Sequence, residues 1–135
     1  MGRYEEREAK SHLGEKAWNK IVNAASSSHI TGQQMRDLAW ALPTNRDKDK
    51  VGGEHTRRMN EKGTAPNETE MKNILADWWY HGDMPEDRVE ALEVLIEAFK
   101  EIGNKPLATE LKKIKDDQEQ VQWYFRKTLV ADFVH

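Results

Sequence analysis

Residues 74–111, ILADWWYHGDMPEDRVEALEVLIEAFKEIGNKPLATEL, decide how this chain is read. Met71, Ile74, Leu75, Trp78 and Trp79 precede and open the stretch as one apolar helical stripe, and Gly82 supplies a left-handed residue to close it. Pro85 and the acids Asp83, Glu86 and Asp87 then suit the first turn of a second helix, whose positive end favours carboxylates. Its inner face reads Val89, Leu92, Leu95, Ile96, Phe99 and Ile102, and Gly103 ends it. This spacing predicts the longest helix of the chain. Pro106 opens a last helix with Leu107, Leu111, Ile114, Val121 and Phe125 along one side.

Working upstream, the same period recurs. Leu13, Ala17 and Ile21, with Trp18, Val22 and Ala25 beside them, predict a helix over about 13–25. Thr31-Gly-Gln-Gln34 has the form of a capping box before Met35, Leu38, Ala39 and Leu42, and Pro43 stops that helix. Residues 44–66 are rich in Asn, Asp, Lys, Arg and Gly, with Val51 and Met59 as the sizeable apolar anchors; they read as a long loop holding one short helix. Asn67-Glu-Thr-Glu70 is a further cap signal. No sustained strand alternation occurs. The expected fold is all-α, a six-helix antiparallel bundle with a core of Ile21, Leu38, Leu75, Trp78, Leu92, Leu95, Phe99 and Leu111. Trp40 and Trp79 are expected half-exposed. Trp123-Tyr124-Phe125 either covers a seam or forms a partner-binding patch.

Composition agrees with a single folded domain. The chain has 135 residues, 37% hydrophobic and 33% charged, with five Trp, three Tyr and three Phe that a disordered chain would lack. It has no Cys, so disulfides, thiolate metal sites and cysteine nucleophiles are excluded. No apolar run is long enough to cross a bilayer, and MGRYEEREAK does not read as a signal peptide, so a cytoplasmic chain without membrane insertion is expected.

The search for catalytic and metal chemistry is negative. His135, preceded by Asp132, is the one His with an acid three residues before it, so the Glu-x-x-His pair of di-iron bundles is missing. His-Glu-x-x-His, Gly-x-x-x-x-Gly-Lys and Gly-x-Gly-x-x-Gly are absent too. No catalytic residue, metal or cofactor is expected.

Charge is more informative. Residues 83–101 hold seven acids (Asp83, Glu86, Asp87, Glu90, Glu93, Glu97, Glu101) against Arg88 and Lys100, a net of −5. Residues 44–62 hold six bases, among them Arg46, Lys48, Arg57 and Arg58, against four acids, a net of +2. Opposite poles on one small domain suit head-to-tail association. The rival readings are a nucleic-acid binder using 44–62, where four acids interrupt the bases, and a ligand-binding bundle, for which convergent polar groups are not visible. A net charge of −3 argues against nucleic acid.

Leu75-x-x-Trp78, then Ala91-Leu92-x-x-Leu95-x-x-Ala98-Phe99-x-x-Ile102-Gly103 and Leu107-Ala108-x-x-Leu111, resemble the fourth, fifth and sixth helices of the death-domain family. MRDLAWALP is similar to the family's second helix, with Met35 where Trp is frequent and Pro43 where Gly is. The resemblance spans about residues 13–115, leaving 1–12 as an N-terminal extension and 116–135 as a C-terminal one, expected to be helical. It implies a Greek-key six-helix death-fold that is a non-catalytic adaptor, binding other death-fold proteins homotypically and self-assembling in apoptotic or innate-immune signalling. By the same resemblance the interface regions are Gly82–Arg88 (with Asp83, Glu86, Asp87 and Arg88), Gly103–Pro106 (with Asn104 and Lys105), and the third-helix region holding Arg46, Lys48, Arg57 and Arg58.

Overall fold

A computed structural model describes residues 3–44 and 67–134, with side chains described for 5–44 and 67–124. Among the described residues there are six α-helices and no strand: α1 (Arg3–Leu13), α2 (Glu15–Ser26), α3 (Gly32–Ala41), α4 (Asn67–Tyr80), α5 (Arg88–Glu101) and α6 (Lys105–Val134). The short helix expected within 44–66 lies outside the described residues.

Each inner face is the apolar stripe of its helix. Ile21 on α2, Leu38 on α3, Leu75 on α4, Leu92, Leu95 and Phe99 on α5, and Leu111 on α6 are fully shielded from solvent, and Trp78 is nearly so. Trp78 keeps its indole N–H satisfied by donating to the Pro43 carbonyl at 3.0 Å, as a buried indole requires. The most extensive pairing is α5 on α6; α4 carries α1 on one side and α2 on another, and α3 packs on α4 and α5.

Three helices end in the same way. The chain turns through a left-handed residue, and the next N–H reaches back five residues: His29 to the Ala24 carbonyl (2.8 Å), Asp83 to Trp78 (3.1 Å), Asn104 to Phe99 (2.8 Å). Gly82 (φ 73°) and Gly103 (φ 87°) hold that position after α4 and α5, where the absent Cβ removes the steric cost. After α2 it is held by Ser28 at φ 65°.

Three expectations are corrected. The first helix does not begin near Leu13: Leu13 ends α1, Gly14 makes the junction, and α2 starts at Glu15. Residues set apart as an N-terminal extension thus include a helix docked on α4, with Ala9 and Leu13 buried. Second, Pro85 and Asp83 do not sit in the first turn of α5, which starts at Arg88. The N–H groups of Asp83 and Met84 both return to the Trp78 carbonyl, and Met84 is buried, so 83–87 is a packed turn. Third, the longest helix is α6 with 30 residues, about 45 Å, not the 14-residue α5.

Candidate interaction surfaces

The capping box at the start of α3 is complete. The Gln34 N–H donates to Thr31 Oγ1 at 3.0 Å, and the Thr31 N–H donates to Gln34 Oε1 at 3.3 Å. Asn104 adds to it from across the bundle. It is buried, caps α6 by accepting the Leu107 N–H on Oδ1 (3.3 Å), and donates through Nδ2 to the His29 carbonyl (3.0 Å) and Gln34 Oε1 (3.2 Å). A residue expected at an interface is therefore a structural cap with its polar atoms consumed inside the fold.

Arg88 is likewise engaged within the fold. Its Nε donates to the His12 carbonyl and its Nη2 to the Ser11 carbonyl, both at 2.9 Å, and Nη1 lies 3.5 Å from Gln118 Oε1. Ser11 and His12 are in the last turn of α1, whose carbonyls have no helical partner and whose dipole is negative. The guanidinium supplies both donors and the charge, and it lies over Gly14, where a Cβ would stand 3.6 Å from Cζ. Asp83 is half-buried and accepts a 2.7 Å hydrogen bond from the Thr44 hydroxyl, so it too is tied into the fold.

What stays exposed is a ridge. Glu86 and Asp87 on the α4–α5 turn, and Glu90, Glu93, Glu97 and Glu101 on the outer side of α5, all face solvent. Glu93 pairs with Lys115 (3.3 Å) and Glu97 with Lys100 (3.4 Å). Glu86, Asp87, Glu90 and Glu101 form no ion pair with any described residue. Lys115 also reaches Glu119 at 3.5 Å; burial pulls its ammonium down, but hydrogen bonds and charge from Glu93 and Glu119 outweigh this, and its pKa is raised above 10.5. Lys105 is exposed at the start of α6. Arg46, Lys48, Arg57 and Arg58 lie outside the described residues.

Two further clusters carry chemical groups. A cleft of about 490 Å³ is lined by Glu8, Ser11, His12, Trp79, Glu86, Arg88, Gln118 and Gln122. Its groups are committed to one another: His12 Nε2 is 2.7 Å from the Pro85 carbonyl, the imidazole centroid is 4.5 Å from the Trp79 ring, and Trp79 Nε1 donates to Glu8 Oε2 at 2.9 Å. At the end of α2, Ser27 Oγ stands 2.9 Å from His29 Nδ1, a spacing that suggests a nucleophile and its base. The hydroxyl proton, however, goes to the Asn23 carbonyl at 2.8 Å, so His29 must donate rather than accept. A helix C-terminus also repels a developing oxyanion. The pair is a helix cap.

Among the described residues no group of three or more His, Asp or Glu side chains is placed to hold a metal ion, and no helix is long and apolar enough to cross a membrane. Exposed aromatic surface gathers on the second half of α6, where Trp123 and Tyr124 are 62% and 65% exposed and Val121 beside them 49%.

The cap of Asn104 and the clamp of Arg88 were missed from sequence because both residues are typical of surfaces. The Asn104-Lys-Pro-Leu107 order is itself a cap signal, Asn before Pro two positions on, and could have revealed the first. Nothing local marks the second, whose partners are 76 and 77 residues away.

No protein-family model, curated protein or solved structure matches the chain.

Proposed function

We propose that this domain is a non-catalytic protein–protein interaction module that resembles a death domain, assembling homotypically with other death-fold proteins, and with itself, in cytoplasmic apoptotic or innate-immune signalling. The observation that carries the reading is the acidic ridge: four carboxylates, Glu86, Asp87, Glu90 and Glu101, exposed on a rigid helix and its leading turn with no ion-pair partner among the described residues. Uncompensated charge of one sign on one face is what an oppositely charged partner surface recognises. The all-α architecture, the family-like motif residues on α4, α5 and the start of α6, and the basic character of the 44–62 sequence support the same reading. Of the residues proposed at the interface, Asn104, Arg88 and Asp83 also hold hydrogen bonds inside the fold, and Glu86, Asp87 and Lys105 are exposed; Arg46, Lys48, Arg57 and Arg58 complete the set.

Light scattering of the purified chain across a salt series tests it. Single exposed pairs contribute about 0.2–1 kcal/mol, so assembly needs several engaged together and is weakened by salt. The double variant Glu86→Lys with Asp87→Lys should lose association while its melting temperature stays put. Association indifferent to salt and to both reversals refutes the charged surface.

A further inference from the structure

The helix α1 is attached differently from the rest of the bundle. Among its described side chains, Ala9 and Leu13 are the apolar ones buried beneath it, whereas α5 buries seven residues. Its other attachments are polar: Glu8 with the Trp79 indole, His12 with the Pro85 carbonyl, and Arg88 with the carbonyls of Ser11 and His12. Against these stands a cost. Oε2 of Glu5, on α1, is sealed from solvent with no hydrogen-bond partner, a penalty that lasts while the helix is docked and vanishes when water returns.

We infer that α1 is a latch: it undocks from α4 as a unit while α2–α6 stay folded, with the Arg88 guanidinium as the clasp and Glu5 as the built-in bias toward release. Two lines converge on this. Among the described side chains α1 buries two apolar groups where α5 buries seven, so an opening confined to α1 costs less than unfolding the whole domain. And the clasp is a single side chain on another helix, capping two last-turn carbonyls of α1, those of Ser11 and His12, with one charge. Opening uncovers the α1-facing side of α4 and dismantles the cleft around Trp79, giving the domain a second surface absent from the closed form.

Native-state hydrogen exchange of the full chain, read by mass spectrometry in low denaturant, tests the latch. Amides of residues 9–13, whose N–H groups bond back to carbonyls within the helix, should exchange through an opening far more populated than that of residues 92–99 on α5. Arg88→Met, which keeps the stem and removes the donors, should speed exchange in 9–13 by about tenfold or more and leave 92–99 unchanged, since hydrogen bonds to a charged group contribute about 1.5–3 kcal/mol. Glu5→Met should slow exchange in 9–13, and it keeps the test decisive if Arg88→Met folds poorly. Exchange of 9–13 only in step with 92–99, or a Glu5→Met variant with unaltered α1 protection, overturns the inference.

Discussion

Asn104 Nδ2 lies 3.2 Å from Gln34 Oε1, and this contact between residues 70 apart in the chain joins the N-termini of α3 and α6. Gln34 Oε1 accepts from Thr31 and Asn104 at once, so each cap holds the acceptor that the other uses. Asn104→Ala should cost about 1–3 kcal/mol, because it removes the α6 cap and orphans the His29 carbonyl. Gln34→Ala should cost less, as its site is more exposed. The double variant should be less destabilised than the two losses added together, and denaturant melts of the four proteins measure that coupling. Strict additivity would mean the two caps act alone.

Ser28 invites a gain. An L-residue in the left-handed region costs about 1–2 kcal/mol, and glycine's greater unfolded freedom returns part of it, so Ser28→Gly should stabilise by about 0.5–1 kcal/mol. The mirror experiment is Gly103→Ala, where a Cβ would meet nothing within 4 Å. Its loss, about 1–2 kcal/mol, is then pure backbone cost. Thermal melts of the pair should move in opposite directions; a shift of the same sign in both would contradict the shared turn geometry.

Phe99 is the largest of the fully buried side chains, placed on α5 where that helix meets α6. Phe99→Ala should cost about 3–5 kcal/mol, a large part of a small domain's stability. Phe99→Leu should cost markedly less, because more of the volume is retained. A Phe99→Ala protein that melts like the parent would place the core elsewhere.

The comparison of α5 with α1 shows what sequence can and cannot convey. On α5 the period of Leu92, Leu95, Ile96 and Phe99 is dense, and so its inner face, and by subtraction its acidic outer ridge, could be read directly. On α1 three apolar residues in eleven, Tyr4, Ala9 and Leu13, are too sparse to mark a helix face, and the helix is fixed by contacts from Trp79, Pro85 and Arg88, far along the chain. Helix ends followed the same division. Gly82 and Gly103 announce a left-handed turn by residue type, while Ser28 adopts one at φ 65° with no such mark in its residue type. The misplaced start of α5 has a related cause: Pro85 and Asp87 suit a first turn locally, but burial of Met84 and the return of two N–H groups to Trp78 hold those residues outside the helix.

Lys115 supplies a pH test of the ridge. Its side chain is 16% exposed on α6, and it clamps Glu93 of α5 and Glu119 of its own helix. Because Glu93 and Glu119 outweigh the burial of the ammonium, its folded pKa is raised above the ordinary 10.5. A raised pKa means that the folded state holds the proton more tightly than the unfolded state. The stabilisation is therefore complete below 10.5 and is lost as pH rises through the folded value. Glu93 is half-exposed, so the whole effect is at most about 1 kcal/mol. The difference in stability between the parent and Lys115→Met should be constant from about pH 6 to about pH 9 and shrink beyond 10.5. Taking the difference cancels the alkaline titration of the tyrosines, which both proteins share. Circular-dichroism melts across that range measure it. A difference that grew with alkalinity would mean a folded pKa held below the ordinary value, with burial of the ammonium outweighing the two carboxylates.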